Sequence, residues 1–524
     1  MKRLVWFRRD LRVHDNPALW HACHNTNGQS SDVIAVSFIS RKQWQQHGMG
    51  DRLIQLTVNA LMQLEQQLKA LNIPLLIIDS DTFSDNAEAL KTLCTTLEIE
   101  QLYFNYEYEI NEINRDLFFS RWAENNRAQS PQLFCYHDQC IIPPGQVLNK
   151  QQQMFKVYSP FRKAWCQHFP QFQQPPLNKP EALSNNHFLT AEAEKSISSA
   201  MSKLAEEKLG NTTDAKEISD PLWPVNEEQA HEQLQDFLQQ RACDYHNWRD
   251  FPAKPATSRL SCYLSIGLLS TRQCLYSAWQ MNACMLTDGE PGLNSWINEI
   301  IWREFYRHLL VAFPDLNKHK AFKQDTESVP WRFSKADFDA WCQGETGYPI
   351  VDAAQRQLLE TGWMHNRLRM ISAMFLTKHL LIDWRWGEAW FASHLVDFDL
   401  ASNNGGWQWS ASTGADGAPY FRIFNPITQS QKFDPDGEFI AQFVPELAAL
   451  PAKSRHQPNA IQRSQCGYAN EVVEHKFARL RALAAFKGEG LLTQPGATEG
   501  ITEAAPETDL FTLTGAGAVS SEKA

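Results

Sequence analysis

The chain of 524 residues has no CxxC pair and no Cys/His cluster at metal-ligand spacing, although it holds eleven cysteines. An odd number of scattered thiols excludes a disulfide scaffold or zinc module and places the chain in a reducing, cytoplasmic setting. No stretch approaches the roughly 18 consecutive apolar residues of a membrane span. The opening MKRLVWFRRD has an apolar run of only four residues, too short for a secretory signal. Positive charge is scarce: 49 Lys and Arg against 60 Asp and Glu leave a net charge of −11. That balance argues against general coating of nucleic acid but leaves room for a local basic groove. Neither a GxGxxG after the first apolar run nor a Walker loop is present, which removes the ordinary dinucleotide and nucleotide sites.

What the chain does have divides along its length. Leu4–Phe7, Val33–Ile39, Pro74–Ile78, Leu102–Phe104 and Leu133–Tyr136 read as buried strands, with helical patterns between them at Arg52–Leu71 and Asp85–Leu97. Such alternation implies a parallel sheet covered on both faces, hence an α/β domain over residues 1–140. Residues 141–224, rich in Pro, Gln, Ser and Asn from Pro170 onward, read as an interdomain linker with a helix near Ala191–Leu209. From 225 to 486 the apolar spacing is helical throughout, so an all-helical domain is expected. Residues 487–524, ending GAGAVSSEKA, have little to bury and are expected to be disordered.

Several polar stretches stand out against these patterns. Arg8, Arg9 and Arg12 follow the first strand and YEYEINE follows the fourth; each is either a solvated loop or a site at the strand ends. Thr257-Ser258-Arg259-Leu260-Ser261 offers hydroxyls and a guanidinium before an apolar run, as a helix N-cap or a phosphate cradle. In WINEIIWREFYRHLL, helical spacing puts Trp296, Glu299, Trp302, Arg303 and Tyr306 on adjacent parts of one face. Glu299 then either pairs with Arg303 four residues on or faces a ligand while Trp302 offers a stacking surface. Asn366, Arg369 and Met370 share another helical face.

The most unusual stretch is DFDLASNNGGWQW, Asp397–Trp409. Asn403 to Gly406 are expected to break any helix there, because Asn and Gly favour turn and left-handed backbone. Two indoles just past a break need a partner, so the stretch is an aromatic corner or a ligand site. Ten of the 18 tryptophans lie between Trp296 and Trp409, a density that packing alone seldom requires.

Together, VWFRRDLRVHDNPAL, TGYPIVDAA, GWMHNRLRM and NNGGWQW with APYFRIFNP resemble the photolyase and cryptochrome flavoproteins. The closest likeness is to class I cyclobutane pyrimidine dimer photolyases of the bacterial, folate-antenna kind. The likeness runs from the N-terminus to GEFI near 440 and departs at Gln355, where the family usually has Met. It implies an antenna-binding α/β domain with a five-stranded, Rossmann-like parallel sheet, and a larger all-α domain holding FAD. Tyr245 and Thr257, Ser258, Arg259, Leu260 and Ser261 match the family's diphosphate and ribose contacts. Trp296, Arg303, Trp363, Asn366, Arg369, Asp397, Asp399 and Asn403 match its flavin and adenine surroundings, with Asn403 beside flavin N5. Trp407, Trp384 and Trp331 match its tryptophan chain from flavin to surface. Arg249, Glu299, Trp302, Met370 and Trp409 match its lesion contacts, with Arg367 and Arg422 on a basic rim. His47, Asn111, Glu112 and Lys318 match the binding residues for a 5,10-methenyltetrahydrofolate antenna, although Asn317 replaces a cysteine common in relatives.

The activity so implied is light-driven repair of cyclobutane dimers in UV-damaged DNA, double- or single-stranded, by a cytoplasmic monomer that needs no metal. Repair of (6-4) photoproducts would place histidine at positions 366 and 370. A blue-light receptor without repair activity is the other alternative within the family.

Overall fold

The computed structural model describes residues 1–24, 32–213, 218, 220–415 and 421–492. Strands β1 (Lys2–Phe7), β2 (Asp32–Ile39), β3 (Leu75–Asp79), β4 (Gln101–Asn105) and β5 (Gln132–Tyr136) form the parallel sheet expected, in the order β5-β4-β1-β2-β3. The two-residue period of β1 divides its side chains between the two faces. Leu4 and Trp6 join Ile34, Val36 and Leu102 under the helices Phe83–Thr96 and Ala191–Glu206. Val5 and Phe7 face the Asp51–Ala70 helix, in a cluster continuous with the core of the helical half.

The sheet has six strands rather than five. β6 (Asn211–Thr212) pairs antiparallel with the edge strand β3, Ile78 opposite Thr212 and Asp79 opposite Asn211. Two exposed polar residues carry no alternating pattern, so nothing in the sequence marks them.

The stretch 141–224 is also more than a linker. In the helix Tyr158–Phe172, Phe161, Trp165 and Phe169 recur every four residues and are buried along one face. Trp165 Nε1 donates to the Glu304 carboxylate at 2.6 Å, and the N–H groups of Ile141 and Ile142 donate to the same carboxylate. Glu304 is wholly buried, and burial pushes its pKa up to about 7 against these three hydrogen bonds. Two further polar ties join the halves: Arg12–Asp138 at 2.5 Å is continued by Asp15–Arg272 at 2.8 Å, and Glu227 accepts from the N–H groups of Val13 and His14.

From residue 225 onward the described residues are helical, without a strand. No helix among the described residues is long and apolar enough to cross a membrane, and no group of His, Cys, Asp and Glu could hold a metal ion. Most of the expected disordered tail, residues 493–524, lies outside the described residues.

Candidate functional site

Residues 403–406 do not break the chain's helix. Leu400–Ala411 is continuous, with Asp399 as its N-cap accepting from Ser402 N–H at 2.9 Å. Packing explains why glycine stands here: a Cβ on Gly405 would lie 2.2 Å from the Tyr306 ring. The helix therefore presses flat against the Pro291–Ala312 helix. Being two positions apart, Trp407 and Trp409 point about 200° apart around the helix axis. Trp407 is buried against Gly387, where a Cβ would come within 2.0 Å of its ring. Trp409 carries the Arg422 guanidinium 5.1 Å over its ring.

Both indoles line a cavity of about 530 Å³, within the range of cofactor and small-ligand sites. Its wall holds every flavin-side residue expected from the sequence: Tyr245, Thr257 to Ser261, Trp296, Arg303, Trp363, Asn366, Arg369, Asp397, Asp399 and Asn403. Along 257–261 the carbonyls of Thr257 and Ser258 are anchored outward by Arg241 and Gln233, which leaves the hydroxyls for the cavity. Arg259 lies with its guanidinium 4.9 Å over the Trp363 ring. Arg369 forms two hydrogen bonds to Asp397 at 2.8 and 3.0 Å, while its Nε donates to the Met364 carbonyl. Asp399 pairs with Arg307; burial alone would raise its pKa, but the guanidiniums of Arg307 and Arg303 outweigh that and hold it low. Asn403 donates from Nδ2 to the Glu388 carbonyl at 3.0 Å, so Oδ1 is its remaining acceptor.

Arg303 does not pair with Glu299. Its guanidinium serves Gln139 O, Thr271 Oγ1 and Leu264 O, at 2.9 to 3.2 Å. Glu299 instead meets Arg249 at 2.5 Å, and burial still raises its pKa despite that cation. Trp302, Met370 and Arg367 share the same wall. Trp302 is stacked on Tyr158 at 3.5 Å between ring centroids, and Arg367 pairs with Asp250 at 2.9 Å. All the expected lesion contacts thus meet the flavin-side residues in one cavity, with Arg422 held on Trp409.

Trp384 opens the helix Trp384–His394, whose Gly387 touches Trp407, and is almost fully buried. Trp331 is half-buried and edge-on to Phe486. The segment holding it is tied down by Arg332 N–H, donating to the carbonyl of Leu381 at 2.7 Å.

None of the expected antenna residues lines this cavity. Asn111 and Gln43 both donate to His47 Nε2, at 2.8 and 2.9 Å, which leaves the ring proton on Nδ1, 3.8 Å from Glu112. Burial raises the Glu112 pKa to about 8, reinforced by Glu109 and Glu107, and burial with Arg9 lowers that of His47 to about 4. Lys318 ends the turn Pro314–Lys318, next to Asn317. The Asn317 side chain accepts from Ile110 N–H at 3.1 Å, fixing the start of the helix that carries Asn111 and Glu112.

Sequence reasoning missed Tyr158, which supports Trp302, and Phe391, Ser402 and Gly406 in the cavity wall. Tyr158 has no signal, because it comes from the stretch read as linker. Gly406 belongs to the Gly-Gly pair read as a turn; in the structure a Cβ there would meet open space, and the position lines the cavity.

The residues fit a bound flavin dinucleotide. Trp407 Nε1 is buried with no partner among the described residues, Gly406 faces space, and hydroxyls, a guanidinium–carboxylate pair and a free amide oxygen face inward. An α/β domain joined to a helical domain with such a cavity defines a two-domain FAD-binding protein. Two family models match, "DNA photolyase" over residues 3–181 and "FAD binding domain of DNA photolyase" over 296–488. The chain is 44% identical to the deoxyribodipyrimidine photo-lyase of Escherichia coli K12 over 487 residues, covering 92% of this chain and 98% of that one. The Vibrio cholerae enzyme of the same name is 43% identical, covering 93% and 99%. Among solved structures, a class III photolyase from Agrobacterium tumefaciens matches with TM-score 0.75 at 34% identity, covering 93% of this chain and 97% of that one. A Synechocystis cryptochrome matches with TM-score 0.76 at 25% identity, covering 93% and 98%. The chain belongs to the DNA photolyase family.

Proposed function

We propose that the protein repairs cyclobutane pyrimidine dimers in UV-damaged DNA, using light and bound FAD. The observation that carries this reading is the meeting of Glu299, Trp302, Met370 and Trp409 with Arg369, Asp397 and Asn403 in one cavity. Arg369, Asp397 and Asn403 would hold reduced FAD, which when bound would supply light-driven electron transfer to the dimer.

The chain's own residues do the rest. A dimer inside a duplex cannot reach a buried site, so it must leave the stack; photolyases are among the recognised cases of this behaviour. Trp302 and Trp409 receive it between apolar rings. Glu299, oriented by Arg249, offers its carboxyl to the pyrimidine edge. The Arg369–Asp397 pair keeps a fixed charge arrangement on the flavin side, without side-chain freedom to lose on binding. Asn403 presents Oδ1, an acceptor suited to a protonated flavin N5, and has no acidic proton to give. Arg367 and Arg422 stand where phosphates would approach, on double- or single-stranded DNA.

The same reading assigns a 5,10-methenyltetrahydrofolate antenna to His47, Asn111, Glu112 and Lys318, and a cytoplasmic, monomeric protein. Protonated Glu112 can donate a hydrogen bond at neutral pH, which suits the acceptor-rich ring of a pterin. Against (6-4) repair, Asn366 and Met370 line the cavity, whereas His365 is buried as the N-cap of Asn366–Met374, accepting from Arg367 N–H.

A blue-light assay with chemically reduced flavin, on oligonucleotides carrying either a cyclobutane dimer or a (6-4) product, separates enzyme from receptor. Restoration of the cyclobutane substrate alone is expected; no restoration of either rejects the reading. Trp384→Phe should block photoreduction of oxidised flavin and leave dark binding of damaged DNA intact, and normal photoreduction kinetics in that variant would refute the tryptophan path.

A further inference from the structure

One buried glutamate takes no part in the lesion contacts yet holds both asparagines of the Leu400–Ala411 helix, Asn404 through its carboxylate and Asn403 through its backbone carbonyl. Glu388 is 2% exposed. One carboxylate oxygen accepts from Asn404 Nδ2 at 2.8 Å, and the other lies 2.8 Å from His319 Nδ1. Its backbone carbonyl holds Asn403 at 3.0 Å. The His319 side chain is 37% exposed, so Asn403, Glu388 and His319 lead from the flavin cavity to the protein surface. Beside them a separate small cavity of about 40 Å³ is lined by His47, His319, Glu388 and Asn403, among others. A space of that size admits one or two water molecules, and although its wall is mostly apolar, His319, Glu388 and Asn403 offer them polar partners.

Given FAD in the main cavity with its reactive edge at Asn403, we propose that His319 and Glu388 form the entry path for the proton that oxidised flavin must take up. Conversion of oxidised flavin to its anionic reduced form consumes two electrons and one proton. The electrons come through the tryptophan path from an external thiol reductant; two thiols give two electrons and release two protons to bulk solvent as they form one disulfide, so the path carries no proton to the flavin. On the route proposed, protonated His319 gives a proton to the Glu388 carboxylate. The resulting acid gives it, through water in the small cavity, to the flavin nitrogen beside Asn403. His319 then recovers a proton from bulk solvent.

The surroundings suit a donor at the surface end. The Glu388 carboxylate raises the His319 pKa against the effects of burial and Arg385. Arg385, whose Nε donates to the His319 carbonyl at 2.7 Å, is itself neutralised by Glu327 and Asp383. His47, the other imidazole on the small cavity, is held neutral, and Lys318 and Lys320 flank His319 in the chain. Of the two imidazoles on the small cavity, His319 is therefore the better proton carrier and His47 the poorer.

The test uses the FAD-loaded protein and the variants Glu388→Gln and His319→Gln, excited with blue light in weakly buffered thiol solution. Proton uptake by the flavin is followed by the flavin's own transient absorption, because thiol oxidation itself releases protons to the solvent, and tryptophan oxidation by the transient absorption of the indole. Tryptophan oxidation is expected to keep its wild-type rate while proton uptake slows about a hundredfold in each variant, the scale of a lost acid–base group. Uptake at the wild-type rate in either variant overturns the route. His319→Gln, at a half-exposed position, keeps the test open if Glu388→Gln misfolds. If the wild type shows no light-driven tryptophan oxidation, the flavin placement itself fails, a result distinct from unaltered proton uptake. Independently, NMR titration of flavin-free protein should show the His319 pKa falling in Glu388→Gln, because burial and Arg385 then act unopposed.

Discussion

Two regions of this molecule are dense in charge and aromatic rings, and they use that density in opposite ways. At the C-terminal ends of β1 and β4, Arg8 and Arg115 share Glu107 and Asp116 at 2.8 to 3.6 Å and lie 4.7 and 4.6 Å over the Trp6 ring. The groups there pair with one another and close down on a void of only about 50 Å³. In the helical half, comparable pairs stand around about 530 Å³. Arg369–Asp397 and Arg249–Glu299 are each made on one side only and face the space on the other. The ends of parallel strands, where α/β sheets usually bind ligands, are plugged by this chain's own guanidiniums. Binding capacity has moved to a cavity between helices.

The largest contrast comes from truncating one arginine in each region. Arg8→Ala leaves buried carboxylates short of a partner, so it should cost about 3–5 kcal/mol of stability, read by urea denaturation, with FAD affinity kept in whatever fraction folds. Arg369→Ala should do the reverse. Asp397 faces a cavity that water enters, so the flavin-free protein loses little stability, but flavin fluorescence titration should show FAD binding about a hundredfold weaker. Equal stability losses in the two variants would erase the distinction.

Next in size is Gly405→Ala. Overpacking against the Tyr306 ring should cost about 1–3 kcal/mol and displace Asn403 and Trp407 together. Lower thermal stability and altered flavin absorption should therefore appear together; a variant with a wild-type melting temperature would refute the close packing. Glu299→Ala is smaller again. It removes a charge-assisted contact of about 1.5 kcal/mol, so repair per absorbed photon should fall up to about tenfold while FAD stays bound.

How much of this was legible in the sequence depended on whether a feature had period or only composition. The five parallel strands and the helical half declared themselves by spacing, whereas the residues of the cavity wall were named only through the resemblance of their motifs to the family. Residues 403–406 misled, because the turn preference of Asn and Gly was overridden by the Asp399 cap and the fit of Gly405 to Tyr306. The stretch 141–224 was judged by its polar composition, although Phe161, Trp165 and Phe169 already stood at helical intervals. β6 was too short to show any pattern. Least visible of all was the difference between the two charged regions. Motifs as polar as FRRDLR and GWMHNRLR give no sign of which will find partners within the chain and which will be left facing space.

The antenna cluster lies between these extremes, and Glu112 tests where it belongs. Burial raises its pKa from 4.5 to about 8, reinforced by Glu109 and Glu107. A carboxyl in that position binds its proton more tightly folded than unfolded, so stability should decline as pH rises through that interval. The decline should be modest, because the titration is shared with two neighbouring carboxylates and opposed by Arg9 and Arg115. Glu112→Gln cannot ionise and should flatten the slope, measured by urea denaturation at pH 6 and pH 8. If the cluster were self-satisfied like that around Arg8, the substitution would lower stability at both pH values alike. If it is held ready for a ligand, stability at pH 8 should rise relative to wild type while affinity for the folate falls, since the amide keeps the shape of the acid but changes what it offers. A wild-type slope in the variant would mean that some other group carries the titration, and would remove Glu112 from the proposed folate site.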